Sequence, residues 1–422
     1  MEKRITPSKT LGTITIPSSK SQTIRALLIA TFAKNKSIIN NALLSNDTLS
    51  CIKACKSLGA KIELNKNMIK IDSTNLSKVD TPITIDCENS GTTLYLLLGL
   101  AASLETEITF SGDKSLKSRP VGALLQAYRD LGCFVSDTNY PPFTIKGPIT
   151  KSKTTIDCPT SQYLSSLLLA SVFAKCDVEI ITPLLYEKPY VKLTLDWMSE
   201  QKLSYNISED LQHSKVKGNQ NFTPINTSIN GDYSSATFFF ALAAIGKTAI
   251  KILGLNKNDS QGDKHTLDIL EKMGCTINWI KNGVEVIGPK ELKGGTFSLN
   301  SMPDALPALC IVGAYSKEKV VFNDVPQARL KETDRIETMN KNLNRLGVKT
   351  KELDDGIEIY GRGAINGAHV KGYDDHRIIM AMAIAGLYAD NPIIIDDIDA
   401  VSVTFPTFFD LINDLKVNIW NI

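Results

Sequence analysis

The most regular feature of the 422-residue sequence is a pattern of helix-like and strand-like segments that recurs six times. In each copy an amphipathic run ends at a break, and alternating apolar and polar residues follow, as in TLDILEKMG and CTINWIKNGVEVIG. Apolar residues three or four apart predict a helix, a glycine after the last turn is a usual helix end, and alternation predicts strands. The six breaks are Leu58-Gly59, Leu131-Gly132, Leu203-Ser204, Met273-Gly274, Leu346-Gly347 and Leu415-Lys416.

The spacing of these breaks is nearly constant, at 73, 72, 70, 73 and 69 residues. A constant period indicates that each copy is one supersecondary unit. The strands after each break are predicted to form a hairpin, and in the fourth copy Asn282-Gly283 is the predicted turn.

A second kind of segment precedes each break by about forty residues and has a polar start followed by a nearly all-apolar stretch. A helix that is apolar on every side is buried on every side. Each copy is therefore predicted to be a βαβαββ unit containing one buried helix. The six apolar segments are SKSQTIRALLIATFA, NSGTTLYLLLGLAAS, TSQYLSSLLLASVFA, YSSATFFFALAAIG, MPDALPALCIVGAYS and DDHRIIMAMAIAGLYA.

We therefore predict an α/β protein of two domains, each with three βαβαββ units around three buried helices. A chain of this length is expected to form two domains, because domains seldom exceed about 250–300 residues. The boundary between the third and fourth copies lies near Ile229 to Asp232, so residues 19–229 are predicted as the first domain. Residues 1–18 precede the first buried helix and can belong to either half.

Composition narrows the class of protein. Hydrophobic residues are 43% and charged residues 22%, which is typical of a globular protein. The net charge of +2 excludes a general basic field, so no nucleic-acid partner is expected. The longest apolar stretches are shorter than the ~20 residues that span a bilayer, and the first residues lack a signal-peptide pattern. We expect a cytoplasmic protein without a membrane partner.

The eight cysteines are scattered through the sequence and are expected to be reduced thiols. Cys51 and Cys55 are four residues apart, but no second pair of His or Cys residues completes a metal site, so no metal is expected.

The polar starts of the apolar segments are candidate anion sites. The first N–H groups of a helix are unpaired, and the helix dipole is positive there. Ser and Thr at such positions are also ordinary N-caps. The candidates at these starts are Lys20, Ser21, Arg25, Gly91, Thr92, Thr160, Ser161, Gln162 and Arg377. Two linkers add Arg119, in KSLKSRPVG, and Lys331, Glu332 and Arg335, in QARLKETDR; a solvated run of charges is the other interpretation of the second linker.

Five segments in this order, covering essentially the whole chain, resemble the 5-enolpyruvylshikimate-3-phosphate (EPSP) synthase family: PSSKSQTIRALLIA, NSGTT, KSRPVGALLQAYRDLG, RLKETDR and DDHR. RLKETDR with DDHR some forty residues later is the most specific pair. The resemblance implies transfer of the enolpyruvyl group of phosphoenolpyruvate to the 5-hydroxyl of shikimate 3-phosphate, in the shikimate pathway to chorismate and aromatic amino acids.

The family's fold is also implied, a two-domain inside-out α/β prism with six βαβαββ repeats. Residues 1–18 would join residues 230–422 in the C-terminal domain, and the active site would lie in the interdomain cleft. The resemblance implies small-molecule substrates, no cofactor and a monomer.

The resemblance assigns roles to individual residues. Asp304 would take the proton of the 5-hydroxyl, Glu332 would exchange the methylene proton, and Lys20 would protonate the leaving phosphate. Shikimate 3-phosphate would be bound by Lys20, Ser21, Arg25, Thr160, Ser161, Gln162, Tyr190, Asp304, Gln327 and Lys331. Phosphoenolpyruvate would be bound by Lys20, Gly91, Arg119, Gln162, Arg335 and Arg377.

Both substrates are anions, so the site is expected to be cationic. The assigned cations are Lys20, Arg25, Arg119, Lys331, Arg335 and Arg377. Set against Asp304 and Glu332, these six leave a local charge of +4.

Five positions depart from the family pattern, and the departures are expected to affect affinity more than chemistry. Val403 stands where many members have a Lys that contacts phosphoenolpyruvate, and Gln327 replaces an Asn. Glu187 replaces a Ser that contacts the shikimate phosphate; a carboxylate there would repel the phosphate unless it turned away or paired with Lys188. Tyr95 and Leu96 replace an Arg-Pro pair.

Two other functions remain open from the sequence. One is enolpyruvyl transfer to a UDP-linked amino sugar, although the reactive Cys of that family is absent from GDKSLKSRPV. The other is a homologue that binds the ligands without turnover.

Overall fold

The computed structural model describes residues 1–76 and 81–415. Within them the α-helices are α1 (Lys20–Phe32), α2 (Asn46–Ser57), α3 (Gly91–Ala101), α4 (Lys114–Lys117), α5 (Gly122–Asp130), α6 (Ser161–Ser171), α7 (Lys188–Glu200), α8 (Tyr233–Gly246), α9 (Thr266–Lys272), α10 (Leu306–Tyr315), α11 (Arg335–Arg345), α12 (His376–Gly386) and α13 (Phe408–Leu415). Short 3₁₀ helices span Gly262–His265, Pro303–Ala305, Pro326–Leu330 and Asp399–Val403.

The strands of the described residues are short. They are β1 (Lys3–Ile5), β2 (Gly12–Thr15), β3 (Lys36–Asn40), β4 (Lys61–Asn65), β5 (Met68–Asp72), β6 (Ile83–Asp86), β7 (Ile108–Ser111), β8 (Phe134–Val135), β9 (Phe143–Lys146), β10 (Lys153–Thr155), β11 (Val178–Ile181), β12 (Tyr205–Ile207), β13 (His213–Val216), β14 (Asn226–Ser228), β15 (Ala249–Leu253), β16 (Thr276–Ile280), β17 (Gly283–Ile287), β18 (Gly295–Ser298), β19 (Lys319–Asn323), β20 (Lys349–Leu353), β21 (Gly356–Tyr360), β22 (His369–Val370) and β23 (Ile393–Ile395).

The chain divides into two compact units by its contacts. The central unit is Ser18–Ile229, and the terminal unit is Met1–Pro17 together with the chain from Asn230 onward. Each unit has its own hydrophobic core.

One sheet topology recurs in both units. The strand before a buried helix pairs in parallel with the strand after it, and the following hairpin adds two antiparallel strands. In the central unit this produces the orders β6-β7-β9-β8 and β10-β11-β13-β12, and in the terminal unit β18-β19-β21-β20. The predicted βαβαββ unit is confirmed in these copies.

The first copy of each unit takes its first strand from a distant part of the sequence, not from the residues directly before its buried helix. β14 pairs in parallel with β3 in the central unit, and β2 pairs in parallel with β15 in the terminal unit. β2 therefore belongs to the terminal unit although the central unit follows it in the sequence.

The sixth copy forms a three-stranded sheet within the described residues. β22 pairs in parallel with β23, and β1 pairs with β23 in antiparallel orientation. Lys416 of the sixth predicted break and the hairpin expected after it lie outside the described residues.

The six helices predicted to be buried form the centres of the two cores. They are α1, α3 and α6 in the central unit and α8, α10 and α12 in the terminal unit, and nearly all of their residues are buried. In the part of the chain that the structure describes, no helix combines the length and apolar character needed to cross a membrane.

The hairpin of the fourth copy differs from its prediction by one residue. Ile280 pairs with Gly283, so the two turn residues are Lys281 and Asn282. Asn282 has a φ of 60°, a conformation that asparagine tolerates better than most residues. β17 begins at Gly283. A glycine is needed there because a Cβ would lie 2.2 Å from the carbonyl oxygen of Ile252.

The contact between α3 and α6 should depend on Gly99. A Cβ at this position would lie 2.4 Å from the carbonyl oxygen of Ser166, which is a backbone atom and cannot rotate away. We expect Gly99→Ala to destabilise the protein by about 1–3 kcal/mol, as overpacking of a core does, and to lower the midpoint of thermal unfolding. The matched control is Gly313→Ala in α10, where the nearest atom is the side-chain end of Ile359 at 3.1 Å. Equal midpoints for the two variants would contradict this account.

Candidate active site

The N-terminus of α3 lies beside the guanidinium of Arg119. A Cβ on Gly91 would lie 2.8 Å from Arg119 Nη1, so a glycine is needed for this close approach. Arg119 Nη2 also donates to Asn89 Oδ1 at 3.4 Å. A cation beside the positive end of a helix dipole raises the electrostatic potential further, and an anion is the group that such a position favours.

Two tyrosines hold the segment that carries Arg119. Tyr95 and Tyr163 donate to the carbonyl oxygen of Pro120, at 3.3 and 2.7 Å, and their rings pack edge to face with centroids 5.4 Å apart. Leu96 is fully buried in the core. Tyr95 therefore supports the segment around Arg119, and Leu96 packs in the core.

The N-terminus of α6 lies next to that of α3. Gln162 Nε2 donates to Thr92 Oγ1 at 3.1 Å. At the same helix end, Glu187 Oε2 accepts hydrogen bonds from Thr160 Oγ1 at 3.1 Å, from the Ser161 backbone N–H at 3.1 Å and from Ser161 Oγ at 2.8 Å. The carboxylate of Glu187 thus occupies the helix end; of the two arrangements considered from the sequence, turning away or pairing with Lys188, the first is not observed.

Lys20 and Arg25 project from α1 within the central unit. Lys20 Nζ is 3.1 Å from Asp47 Oδ2, and both side chains are largely buried. The buried Arg25 donates to Thr194 Oγ1 at 3.0 Å and to the carbonyl oxygens of Ser21 and Tyr190 at 3.1 and 3.2 Å. Burial lowers the pKa of Arg25 to about 10, so its guanidinium remains charged at neutral pH.

In the terminal unit the charged residues are arranged around Arg335, whose side chain is only 1% exposed. Its Nη1 is 2.8 Å from Asp304 Oδ1, its Nη2 is 2.6 Å from Glu332 Oε2, and its Nε is 2.8 Å from Asp375 Oδ2. Burial opposes the charge of Arg335, but Asp375, Glu332 and Asp304 raise its pKa above the usual range. Arg335 is therefore a permanent cation shared by three carboxylates.

Asp304 is in turn surrounded by cations. Besides Arg335, it contacts Arg377 Nη2 at 3.0 Å and Lys331 Nζ at 3.7 Å. Burial alone would raise the pKa of Asp304, but Arg377, Lys331 and Arg335 together hold it well below its usual range. Without ligands, Asp304 is an ionised carboxylate and a weak base.

Two further side chains complete this group. Asp375 is the N-cap of α12 and accepts from the Arg377 backbone N–H at 2.8 Å, so one carboxylate positions Arg335 and Arg377 together. Gln327 is buried and donates to the carbonyl oxygen of Asn300 at 3.0 Å, whereas its Oε1 accepts no hydrogen bond within residues 1–76 and 81–415. That oxygen can accept a hydrogen bond from a ligand hydroxyl.

Burial also keeps His376 neutral by lowering its pKa to about 3. No group of three His, Cys, Asp or Glu side chains among the described residues is arranged to hold a metal ion.

Comparison with known proteins shows which family the chain resembles. The family model described as EPSP synthase (3-phosphoshikimate 1-carboxyvinyltransferase) matches residues 5–412. A 3-phosphoshikimate 1-carboxyvinyltransferase of Ruminiclostridium cellulolyticum is 40% identical over 408 residues, covering 96% of each chain. A protein of the same name from Acetivibrio thermocellus is 39% identical over 413 residues, covering 97% of each.

The chain belongs to the EPSP synthase family. Among solved structures, an EPSP synthase from Acinetobacter baumannii is similar with a TM-score of 0.82 and 24% identity, covering 99% of this chain and 98% of that one. This likeness confirms the predicted two-domain inside-out α/β fold.

The structure distributes the residues predicted from the EPSP synthase resemblance over both units. Those in the central unit are Lys20, Ser21, Arg25, Gly91, Arg119, Thr160, Ser161, Gln162 and Tyr190. Those in the terminal unit are Asp304, Gln327, Lys331, Glu332, Arg335 and Arg377. Within each unit the structure links most of them through direct contacts: Gln162 reaches the N-terminus of α3, and Arg335 contacts both Asp304 and Glu332.

Sequence reasoning missed two carboxylates that contact the predicted EPSP synthase residues, Asp47 and Asp375, and it left the partner of a third, Glu187, open. Asp47 pairs with Lys20, Glu187 binds the end of α6, and Asp375 pairs with Arg335. Counting them reduces the expected local charge from +4 to +1. The position of Asp375 before an all-apolar helix was a usable signal, whereas nothing around Asp47 in the sequence indicated its partner.

The ion pairs of Asp304 should make stability depend on pH in the acid range. Its pKa in the folded state lies below the unfolded value of about 3.9. This stabilisation is fully present above the unfolded pKa and is lost as pH falls toward the folded pKa. We therefore expect Asp304→Asn to reduce the loss of stability between about pH 5 and pH 2, measured by chemical denaturation at each pH.

The control is Asp414→Asn, which changes an exposed carboxylate in the same unit. The account would be wrong if the two variants and the wild type lost stability in parallel as pH fell.

Proposed function

We propose that the residues around Arg335 and those at the N-termini of α1, α3 and α6 bind the substrates and carry out the reaction. As a member of the EPSP synthase family, the chain transfers the enolpyruvyl group of phosphoenolpyruvate to shikimate 3-phosphate and releases phosphate. The observation that carries the assignment of roles is the carboxylate of Asp304, which three cations surround and which lies beside Glu332 through their common partner Arg335.

Binding of both substrates is an exchange of anions. Each substrate carries a carboxylate and a phosphate of about −1.5 to −2 charges at neutral pH. Several of the cations are already paired with carboxylates of the chain: Lys20 with Asp47, Arg335 with Asp375, and Lys331 and Arg377 with Asp304. Substrate anions must therefore replace or share these partners.

This exchange gives Asp304 a means of becoming a base only when substrate is present. We propose that Arg335 and Arg377 donate some of their hydrogen bonds to phosphoenolpyruvate when it binds. Lys331 likewise donates to shikimate 3-phosphate. As the cations share their charge with substrate anions, the pKa of Asp304 rises toward the value that a general base needs. Asp304 then accepts the proton of the 5-hydroxyl while the oxygen of that hydroxyl attacks the enol carbon of phosphoenolpyruvate.

Two further proton transfers complete the proposed reaction. The methylene carbon of phosphoenolpyruvate gains a proton during addition and loses one during elimination, and Glu332 exchanges it. Lys20 protonates the phosphate as the bond from carbon to the phosphate oxygen breaks. Gln327 accepts a hydrogen bond from a hydroxyl of the shikimate ring through Oε1, the buried acceptor described above.

The remaining assignments concern the cellular compartment, the oligomeric state and the need for a cofactor. We propose a cytoplasmic monomer that acts on small molecules and needs no cofactor. All eight cysteines are free thiols, which fits a reducing compartment.

The function is tested by phosphate release from phosphoenolpyruvate with shikimate 3-phosphate as acceptor, repeated without acceptor and with a UDP-linked amino sugar. Release that requires shikimate 3-phosphate is expected. Release with the UDP-linked amino sugar alone would overturn the proposal, and binding of both substrates without release would indicate a silent homologue.

Asp304→Asn should remove the base while keeping the size of the side chain. We expect kcat to fall by about 10²–10⁴-fold, as loss of an acid–base group typically does, without a rise in the KM for phosphoenolpyruvate, because Arg335 and Arg377 lose a competing carboxylate. Steady-state kinetics measure both constants, with Asp414→Asn as control. A variant that retains more than about a tenth of wild-type kcat would remove Asp304 from this role.

Val403 provides a second prediction. It is partly exposed at the end of the 3₁₀ helix Asp399–Val403, which packs against α12, the helix that carries Arg377. A charge-assisted hydrogen bond is worth about 1.5–3 kcal/mol, so Val403→Lys should lower the KM for phosphoenolpyruvate by roughly tenfold. The KM for shikimate 3-phosphate should change less.

Ser402→Lys is the matched control because it adds the same charge one residue away. Equal constants for the two variants would show that position 403 is not where a cation is missing.

A further inference from the structure

The carboxylate of Glu187 takes the place of a bound anion at the N-terminus of α6. One of its oxygens accepts from the backbone N–H and hydroxyl of Ser161 and from the hydroxyl of Thr160, at 2.8–3.1 Å. Glu187 is only 3% exposed. Three donors converging on one buried oxygen are the coordination that an anionic ligand would receive at this helix end.

The other donors at this helix end are also committed. The backbone N–H of Gln162 donates to Thr160 Oγ1 at 3.4 Å, and that of Tyr163 donates to the carbonyl oxygen of Thr160 at 3.2 Å. A second anion therefore cannot use this helix end while Glu187 remains in place. The two negative charges would also repel each other at contact distance.

The backbone fixes the start of the Glu187 side chain. Glu187 has a φ of 56°, in the left-handed region, directly before α7 begins at Lys188. The neighbouring chain is anchored, because Tyr186 N–H donates to the carbonyl oxygen of Cys158 at 3.1 Å and Arg25 donates to that of Tyr190. Because these anchors hold the backbone on both sides, departure of the carboxylate from the helix end requires rotation of its own side chain.

We propose that Glu187 is an affinity-determining residue that competes, as an internal anion, with the phosphate of the acceptor substrate. This inference rests on the proposed function, which assigns Thr160, Ser161 and Gln162 to that phosphate. In the unliganded protein Glu187 satisfies the helix end. Shikimate 3-phosphate binds only when its phosphate displaces the carboxylate, so part of the binding free energy is used in the displacement.

The test compares Glu187→Gln and Glu187→Ser with the wild type. Glutamine keeps the size of the side chain and removes its charge, and serine removes the internal ligand. Glu200→Gln, at the exposed end of the same helix α7, is the control for the change in net charge. Calorimetric titration with shikimate 3-phosphate gives Kd, and steady-state kinetics give the KM for phosphoenolpyruvate.

We expect both Glu187 variants to bind shikimate 3-phosphate about tenfold or more tightly than the wild type, the size of effect associated with loss of one competing charge-assisted hydrogen bond. The KM for phosphoenolpyruvate and the Kd of Glu200→Gln should be unchanged. Without ligand, the thermal midpoint of the Glu187 variants should fall, because the donors of Ser161 lose their anion. Binding of shikimate 3-phosphate should then raise the midpoint more than it does in the wild type.

A further variant, Ser161→Ala, separates this inference from the proposed function. If Ser161→Ala weakens binding of shikimate 3-phosphate while both Glu187 variants bind no more tightly than the wild type, the competition is absent and only this inference fails. If Ser161→Ala leaves the Kd unchanged in a folded protein, the helix end is not the phosphate site and the proposed assignment fails. Weaker binding by Glu187→Gln would make Glu187 a positive contact and would also overturn the inference.

Discussion

The N–H groups at the start of a buried helix must be paired, and this requirement organises both units of the protein. α1, α3 and α6 in one unit and α8, α10 and α12 in the other are buried along nearly their whole length, and the first donors of each helix have no partner within the helix. An anion is the most favourable partner for such an end because it meets the unpaired donors and the positive dipole together. The residues assigned to the reaction lie at or beside these ends.

At the starts of α6 and α12 the unliganded protein meets this requirement with its own carboxylates. Asp375 caps α12 and pairs with Arg335, while Glu187 binds the donors at the start of α6. Buried charges are costly unless paired, so these internal anions stabilise the protein before substrate arrives. They also make substrate binding an exchange, and the same exchange explains how Asp304 can be a weak base without substrate and a stronger one with it.

Particular residues show which parts of the fold and of the site could be predicted from sequence patterns. The period near seventy residues predicted the βαβαββ copies, and the apolar segments predicted six buried helices, because burial on every side requires apolar residues on every side. The hairpin at Asn282 was displaced by one residue, since hydrogen-bond register between β16 and β17 decides which residues form the turn. The sequence left the direction of the Glu187 side chain open, and the structure shows its carboxylate bound at the start of α6.

By itself the sequence determined the repeat, the fold class, the family and the types of residue available for the chemistry, because these follow from local periodicity and from motifs a few residues long. Tertiary structure alone decided which charged and polar side chains contact one another. Lys20 and Asp47, Ser161 and Glu187, and Arg335 with Asp304 and Asp375 are separated by about 26 to 40 residues and are brought together only by packing of the helices. Electrostatic energy falls with distance in space and not with distance along the chain, so no local pattern in the sequence could specify these pairs.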